Sequence, residues 1–250
     1  MQKFRVAAFQ RHPLFDDISG TTQRLMEDLA WCDREHVDLA VFPECYLQGY
    51  ASDTDTVSRR ALVLQGDDFQ GFAKALADFR TDLIVGLAER RPGAGGAGVE
   101  FYNTAVVMRS GRLLGRYAKA HPNEAAFAAG KDFPVFDRAG WRYGINICND
   151  ANFADVALEI SHQGASLLCY PLNNMLLPAT AQQWRSKSLQ NLQQRALDTG
   201  CWVVSSDVTG ETVGKMSYGC TCIVSPNGTL VKQVPEGEEG VVMLDIALDA

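Results

Sequence analysis

The sequence lacks any cluster of basic residues, and its 30 acidic residues outnumber its 23 basic residues, giving a net charge of −7. Clustered lysine and arginine are the electrostatic signature of nucleic-acid and anionic-membrane binding. The sequence also lacks any run of the ~18 consecutive apolar residues that a membrane-spanning helix requires. We therefore expect neither nucleic acid nor a membrane as a partner.

Histidine is scarce, and the few histidines do not follow the spacing of metal ligands. There are four: His12, His36, His121 and His162. The seven cysteines are an odd number scattered through apolar segments, which indicates reduced thiols rather than a disulfide framework. The first residues contain no signal-peptide pattern. These features predict a cytoplasmic protein without a bound metal.

Apolar runs rich in Val, Ile and Leu alternate with helical patterns, which is typical of an α/β protein whose strands are covered on both faces. The predicted strands are residues 4–9, 37–42, 83–87, 104–108, 113–117, 143–148, 166–170, 202–205, 220–224 and 241–246. The predicted helices are residues 21–35, 154–163, 179–198 and a segment around the apolar stripe at 72–79. The strands between residues 83 and 117 follow one another without helices and predict antiparallel hairpins.

Residues 93–98, Gly-Ala-Gly-Gly-Ala-Gly, match the G-x-G-x-x-G pattern of dinucleotide-binding loops by letter. That pattern requires a helix immediately after it, whereas a strand is predicted to follow here. We therefore interpret this segment as the loop of a hairpin.

Three side chains with complementary chemistry lie at or near the ends of predicted strands: Glu44, Lys119 and Cys148. Strand ends are where sheet proteins commonly place catalytic groups. A buried carboxylate has a raised pKa that suits a general base, and an ammonium stabilises both a thiolate and an oxyanion. Taken singly, each residue is equally or better explained as structural. Together they have the parts of a cysteine hydrolase that uses no histidine.

These residues lie in motifs that resemble those of the nitrilase superfamily, the carbon-nitrogen hydrolases, and the resemblance covers essentially the whole chain. Three motifs occur in the family's order and spacing, which is far more specific than any motif alone. They are Val41-Phe42-Pro43-Glu44 with Gly49-Tyr50, Tyr117-Ala118-Lys119-Ala120-His121 with Glu124, and Gly144-Ile145-Asn146-Ile147-Cys148-Asn149-Asp150.

The resemblance implies one carbon-nitrogen hydrolase domain over residues 1–250, folded as a four-layer α-β-β-α sandwich with two mixed sheets. It implies that Cys148 is the nucleophile, Glu44 the general base and acid, and Lys119 the oxyanion stabiliser. Glu124 matches a second glutamate that positions the triad, and the Asn149 backbone N–H is a further oxyanion donor. The implied thioester mechanism needs no cofactor.

The implied substrate is a small amide or carbamoyl compound, contacted by Tyr50, Asn149 and Asn173. Nitrile-hydrolysing members typically carry Trp-Glu after the cysteine, and Asn149-Asp150 stands here instead, which favours an amidase. The identity of the substrate stays open. Whether the chain forms a homodimer also stays open, because the sequence ends soon after its last predicted strand, where relatives carry an extension.

Several alternatives stay open from the sequence. The same triad hydrolyses nitriles in some members, and a noncatalytic binding protein can use the same fold. A Cys-His hydrolase would pair Cys148 with His162, although papain-type signatures are absent. A metal-dependent phosphoesterase would need acidic and histidine clusters that the sequence does not show.

Overall fold

The computed structural model describes residues 3–93 and 98–247. Its α-helices are α1 (Ile18–Arg34), α2 (Thr54–Arg60), α3 (Asp67–Ala75), α4 (Asp155–His162) and α5 (Pro178–Thr199). Its first seven strands are β1 (Phe4–Gln10), β2 (Leu39–Val41), β3 (Asp82–Pro92), β4 (Val99–Arg109), β5 (Arg112–Ala118), β6 (Val135–Arg138) and β7 (Trp141–Ile145). The later strands are β8 (Leu167–Pro171), β9 (Trp202–Ser206), β10 (Gly210–Thr212), β11 (Lys215–Ser217), β12 (Cys222–Val224), β13 (Leu230–Gln233) and β14 (Gly240–Ile246). Within these residues, no helix has the length and apolar character needed to cross a membrane.

The strands form two large mixed sheets with related pairing patterns. The first has the order β14-β1-β2-β3-β4-β5, in which β1, β2 and β3 are parallel and the outer pairs are antiparallel. The second has the order β13-β12-β9-β8-β7-β6, in which β7, β8 and β9 are parallel. A small hairpin, β10–β11, stands apart from both.

Alternate side chains along a strand pack into two different cores, one on each face of the sheet, and this separates the layers of the fold. Val6 and Ala8 on β1 belong to the core cluster that contains residues of the second sheet and of α4 and α5. Ala7 and Phe9 belong instead to the cluster that contains residues of α1 and α3. Because successive side chains of a strand point to opposite faces, one strand serves both cores. The predicted α-β-β-α sandwich with two mixed sheets is therefore confirmed.

Most predicted elements are present, including the antiparallel hairpins of β3, β4 and β5. The strand predicted at 143–148 is wrong at its end, because β7 stops at Ile145 and a 3-10 turn covers Cys148–Asn152. The Ile147 N–H donates to the Asp150 carboxylate at 2.8 Å, so it is used within the turn rather than in the sheet. The helix predicted around the stripe at 72–79 ends earlier, at Ala75.

The glycine-rich segment at residues 93–98 lies between two paired strands, as its interpretation as a hairpin loop requires. Pro92 of β3 is paired with Val99 of β4, and the Gly93 N–H donates to the Gly98 carbonyl at 3.1 Å. Residues 94–97 lie outside the described residues. The element that follows is a strand and not the helix that a dinucleotide site would need.

Gly86 allows the segment after β2 to pass directly over β3. Its N–H donates to the Pro43 carbonyl at 3.1 Å, and its carbonyl accepts from the Leu47 N–H at 3.1 Å. A Cβ at this position would lie 2.4 Å from the Cys45 backbone nitrogen and 2.7 Å from the Glu44 Cα. Only glycine leaves room for this backbone contact, which fixes where Glu44 lies.

Replacement of Gly86 by alanine should therefore destabilise the protein. We expect Gly86→Ala to lower the free energy of unfolding by about 1–3 kcal/mol, the usual cost of overpacking a filled interior. Gly71→Ala is the matched control, because a Cβ at Gly71 meets nothing within 4 Å and the residue lies in α3. The control should be neutral or stabilising by up to about 1 kcal/mol. Urea denaturation measures both, and equal stability of the two variants would contradict this account.

Candidate active site

A cavity of about 180 Å³ lies beyond the ends of β2, β5 and β7. Its volume is below the 300–1,000 Å³ that is usual for drug-sized ligands, which indicates a small ligand. The four residues predicted as catalytic all line it: Glu44, Lys119, Glu124 and Cys148. So do the three predicted to contact substrate: Tyr50, Asn149 and Asn173.

Glu44 lies three residues after β2 and is 1% exposed. Its Oε1 accepts hydrogen bonds from the Lys119 ammonium at 2.8 Å and from the Asn103 amide at 2.7 Å. Its Oε2 has no hydrogen-bond partner among the described residues. Burial raises the pKa of Glu44, although Lys119 opposes the rise. One oxygen is thus fixed, and the other is free to accept a proton.

Lys119 follows the last residue of β5 and is also 1% exposed. Its ammonium donates to Glu44 Oε1 at 2.8 Å and to Glu124 Oε1 at 3.1 Å. Burial alone would lower the pKa of Lys119, but the charge of Glu44, together with Glu124 and the hydrogen bond to Glu44, outweighs burial and raises it. The side chain therefore stays charged within the buried cluster.

Glu124 is held from two sides besides Lys119. The Tyr50 hydroxyl donates to its Oε1, and the Asn123 backbone N–H donates to its Oε2 at 3.1 Å. Burial, reinforced by the nearby carboxylates of Glu44 and Glu124, raises the pKa of Tyr50, so the phenol stays protonated and can donate. The Tyr50 hydroxyl is therefore engaged by Glu124, while the side chain still forms part of the cavity wall.

Cys148 opens the 3-10 turn with φ of 41°, a left-handed backbone conformation that is uncommon for a residue with a side chain. Such strained residues cluster at functional sites. Cys148 lines the cavity and is a partly exposed residue, whereas the other cysteines are buried. Burial raises the pKa of Cys148 well above its usual range, and Glu44 adds to the rise, while Lys119 and the Asn173 backbone N–H oppose it. The thiol is therefore protonated at neutral pH.

Asp150 connects the turn of Cys148 to the segment of Lys119. Its carboxylate accepts from the Ile147 N–H, the Tyr117 hydroxyl and the His121 N–H, each at 2.8 Å. Tyr117 lies in β5 of the first sheet, and Asp150 follows β7 of the second. Burial raises the pKa of Asp150, while these three donors favour its charged form. The carboxylate thus fixes the position of the thiol relative to the ammonium.

The side-chain amides of Asn149 and Asn173 form hydrogen bonds with other groups of the protein. Asn149 Nδ2 donates to the His121 carbonyl at 2.8 Å. Asn173 Nδ2 donates to the Glu44 carbonyl at 3.3 Å, and its Oδ1 accepts from the Met175 N–H at 3.3 Å. Both side chains hold the loops that form the cavity. Their contact with substrate stays a prediction.

Sequence reasoning left several of these residues without a role. Asn103 lies in β4, and only the fold brings its amide to Glu44. Asp150 was noted only as a departure from the nitrile-hydrolysing pattern. The α5 side chains in the cavity wall could have been found from their helical spacing: Thr180, Trp184, Ser188 and Asn191.

His162, the partner in the Cys-His alternative, is not brought to the thiol. It is the last residue of α4, is exposed and does not line the cavity. Over residues 3–93 and 98–247, no group of three or more His, Cys, Asp or Glu side chains is arranged to hold a metal ion.

Comparison with known proteins gives a consistent assignment. The family model described as carbon-nitrogen hydrolase matches residues 5–250. A protein named hydrolase in pqqF 5'region, from Pseudomonas protegens, is 27% identical over 92% of this chain and 79% of its own length. The omega-amidase NIT2 of Danio rerio is 27% identical over 99% of this chain and 90% of its own length.

A solved structure supports the fold independently. Nit3 of Saccharomyces cerevisiae, described as a member of branch 10 of the nitrilase superfamily, superposes with a TM-score of 0.83. It is 22% identical and covers 98% of this chain and 90% of its own. The chain therefore belongs to the carbon-nitrogen hydrolase family and is a hydrolase of the nitrilase superfamily.

Proposed function

We propose that the protein hydrolyses the C–N bond of a small linear amide or carbamoyl compound through a thioester on Cys148. The observation that carries this proposal is the convergence of Cys148, Glu44 and Lys119 on one small cavity. A nucleophile, a base with one unpartnered oxygen and a fixed cation are the groups that acyl transfer requires.

In the first step, Cys148 Sγ attacks the carbonyl carbon while its proton passes to Glu44 Oε2. The raised pKa of Glu44 favours this transfer, because a buried carboxylate is a stronger base than an exposed one, whereas the raised pKa of Cys148 opposes it. The C–S bond forms, and the carbonyl oxygen becomes negatively charged. The Lys119 ammonium stabilises that oxygen, together with the Asn149 backbone N–H.

Collapse of this intermediate breaks the C–N bond. Glu44 returns the proton to the leaving nitrogen, and ammonia or an amine departs. Glu44 then takes a proton from water, whose oxygen attacks the thioester carbon. Breaking the C–S bond releases the carboxylic acid, and the proton passes back to the thiol. Glu124 and Tyr50 keep the ammonium in place throughout.

An amide is favoured over a nitrile by the residues after the nucleophile. Asn149 and Asp150 occupy the positions where nitrile-hydrolysing relatives typically have Trp and Glu. Here Asp150 is buried and bonded to Tyr117, His121 and Ile147, so it is not free to assist chemistry on a nitrile.

Removal of the thiol should abolish turnover. We expect Cys148→Ala to lower kcat/KM for ammonia release from propionamide by at least ~10⁴-fold, as loss of a nucleophile does. Glu44→Gln should lower it by about 10²–10⁴-fold, the usual contribution of a general base. Cys32→Ala, a buried thiol in α1, is the matched control and should retain activity. Turnover retained by Cys148→Ala would refute the mechanism. Faster turnover of propionitrile than of propionamide would show that the substrate class is a nitrile and not an amide.

The pH profile should report the environment of Glu44. The base acts when deprotonated, so kcat/KM falls as pH drops through its pKa, which burial raises above the ordinary glutamate value of about 4.3. Asn103 donates to the charged carboxylate and holds that pKa down. Asn103→Ala should therefore move the acid limb to higher pH, whereas the exposed-turn variant Asn227→Ala should not. An acid limb that is unmoved or moves to lower pH in Asn103→Ala would show that another group is the base.

A further inference from the structure

The cavity wall opposite the charged cluster is one face of α5. Thr180, Trp184, Ser188 and Asn191 are spaced by four, four and three residues, so they lie on one side of the helix. All four are neutral and carry hydrogen-bonding groups. Leu192 of α5 also lines the cavity and packs in the apolar core, whereas these four side chains can contact a polar ligand.

The hydrogen-bonding capacity of this face is largely unused. Asn191 Nδ2 donates to Asn152 Oδ1 at 2.9 Å, and Asn152 Nδ2 donates to Asn149 Oδ1 at 2.9 Å. These bonds orient the Asn191 amide and leave its Oδ1 without a donor from the described residues. The Ser188 side chain also lines the cavity, and its hydroxyl has no partner in that part of the chain. A hydroxyl in this position can both donate to and accept from a ligand.

Among residues 3–93 and 98–247, the side chains that line the cavity include no cation that is free of an ion pair. The charged groups in the lining, Glu44, Lys119 and Glu124, are bonded to one another. On α5, the Arg185 guanidinium is paired with Glu236. Lys187 is exposed, outside the cavity lining, with its ammonium 4.3 Å from the centre of the Trp184 ring. A substrate carboxylate in this cavity would therefore lose its hydration without gaining a cation.

We propose that the α5 face is a subsite for a neutral polar group on the acyl portion of the substrate. The inference rests on the proposed amidase function and narrows its substrate class to small uncharged amides with a second hydrogen-bonding group, such as a carboxamide or a hydroxyl. Ser188 and Asn191 bind that group. Monoamides of dicarboxylic acids are disfavoured, because their free carboxylate meets no cation there.

Succinamide and succinamate test the proposal, because they differ only in a carboxamide or a carboxylate at the far end. We expect kcat/KM for ammonia release from succinamide to exceed that from succinamate by at least ~10-fold. Ser188→Ala should lower kcat/KM about 3–10-fold for succinamide and by less than ~2-fold for propionamide, which lacks the second group. Ser186→Ala, on the exposed side of α5, is the matched control and should leave both substrates unchanged.

Different failures are separable. Succinamate turned over as fast as succinamide would overturn the neutral subsite while leaving the amidase function intact. Loss of that succinamate activity in Lys187→Ala would identify Lys187 as the carboxylate partner. Equal losses for both substrates in Ser188→Ala and in Asn191→Ala, with unchanged thermal stability, would show that these residues act on the reacting centre and not on the acyl group. Absence of ammonia release from all three amides, with no acyl adduct on Cys148, would refute the amidase function and this inference with it.

Discussion

The arrangement depends most on one buried ammonium, that of Lys119, which two buried carboxylates share. Glu44 and Glu124 lie on either side of it, at 2.8 and 3.1 Å, and all three side chains are withdrawn from solvent. Burial of an ion without a partner is very costly, and the lysine partly compensates the charge of both carboxylates. Two negative charges around one positive charge leave the carboxylates incompletely compensated. Burial raises the pKa of Glu44, and the nearby charge of Glu124 adds to the rise, which strengthens the basicity of the Glu44 carboxylate.

The cluster can form because the two sheets are fixed relative to each other at this edge. Glu44 and Lys119 follow strands of the first sheet, while Cys148 follows a strand of the second. The three hydrogen bonds of Asp150 join the segments from both sheets, and Gly86 lets the glutamate segment lie against β3. Packing within each sheet would not fix the distance from the Cys148 thiol to the Glu44 carboxylate. The hydrogen bonds of Asp150 and the backbone contact at Gly86 fix that distance.

Much of the fold follows from local patterns in the sequence. Long apolar runs predict β1, β3, β4 and β8, and the polar-rich segment at 179–198 predicts α5. Short, largely exposed elements such as β10, β11 and β13 leave no such pattern and were missed. The strand predicted through Cys148 was wrong because the Asp150 side chain captures the Ile147 N–H, a contact that hydrophobic periodicity does not reveal. The candidate nucleophile, base and cation were predicted from motif order. The contacts of Asn103 and the α5 wall depend on tertiary structure.

The central claim is that Glu44 and Lys119 form one coupled electrostatic unit, and a double-mutant cycle in urea unfolding at neutral pH tests it most directly. Lys119→Met leaves two buried carboxylates without a cation and should cost about 3–5 kcal/mol of unfolding free energy. Glu44→Gln removes one of those carboxylates, so the double variant should lose at least ~1 kcal/mol less than the sum of the single losses. A double-variant loss that equals the sum of the two single-variant losses within about 0.5 kcal/mol would contradict the coupling.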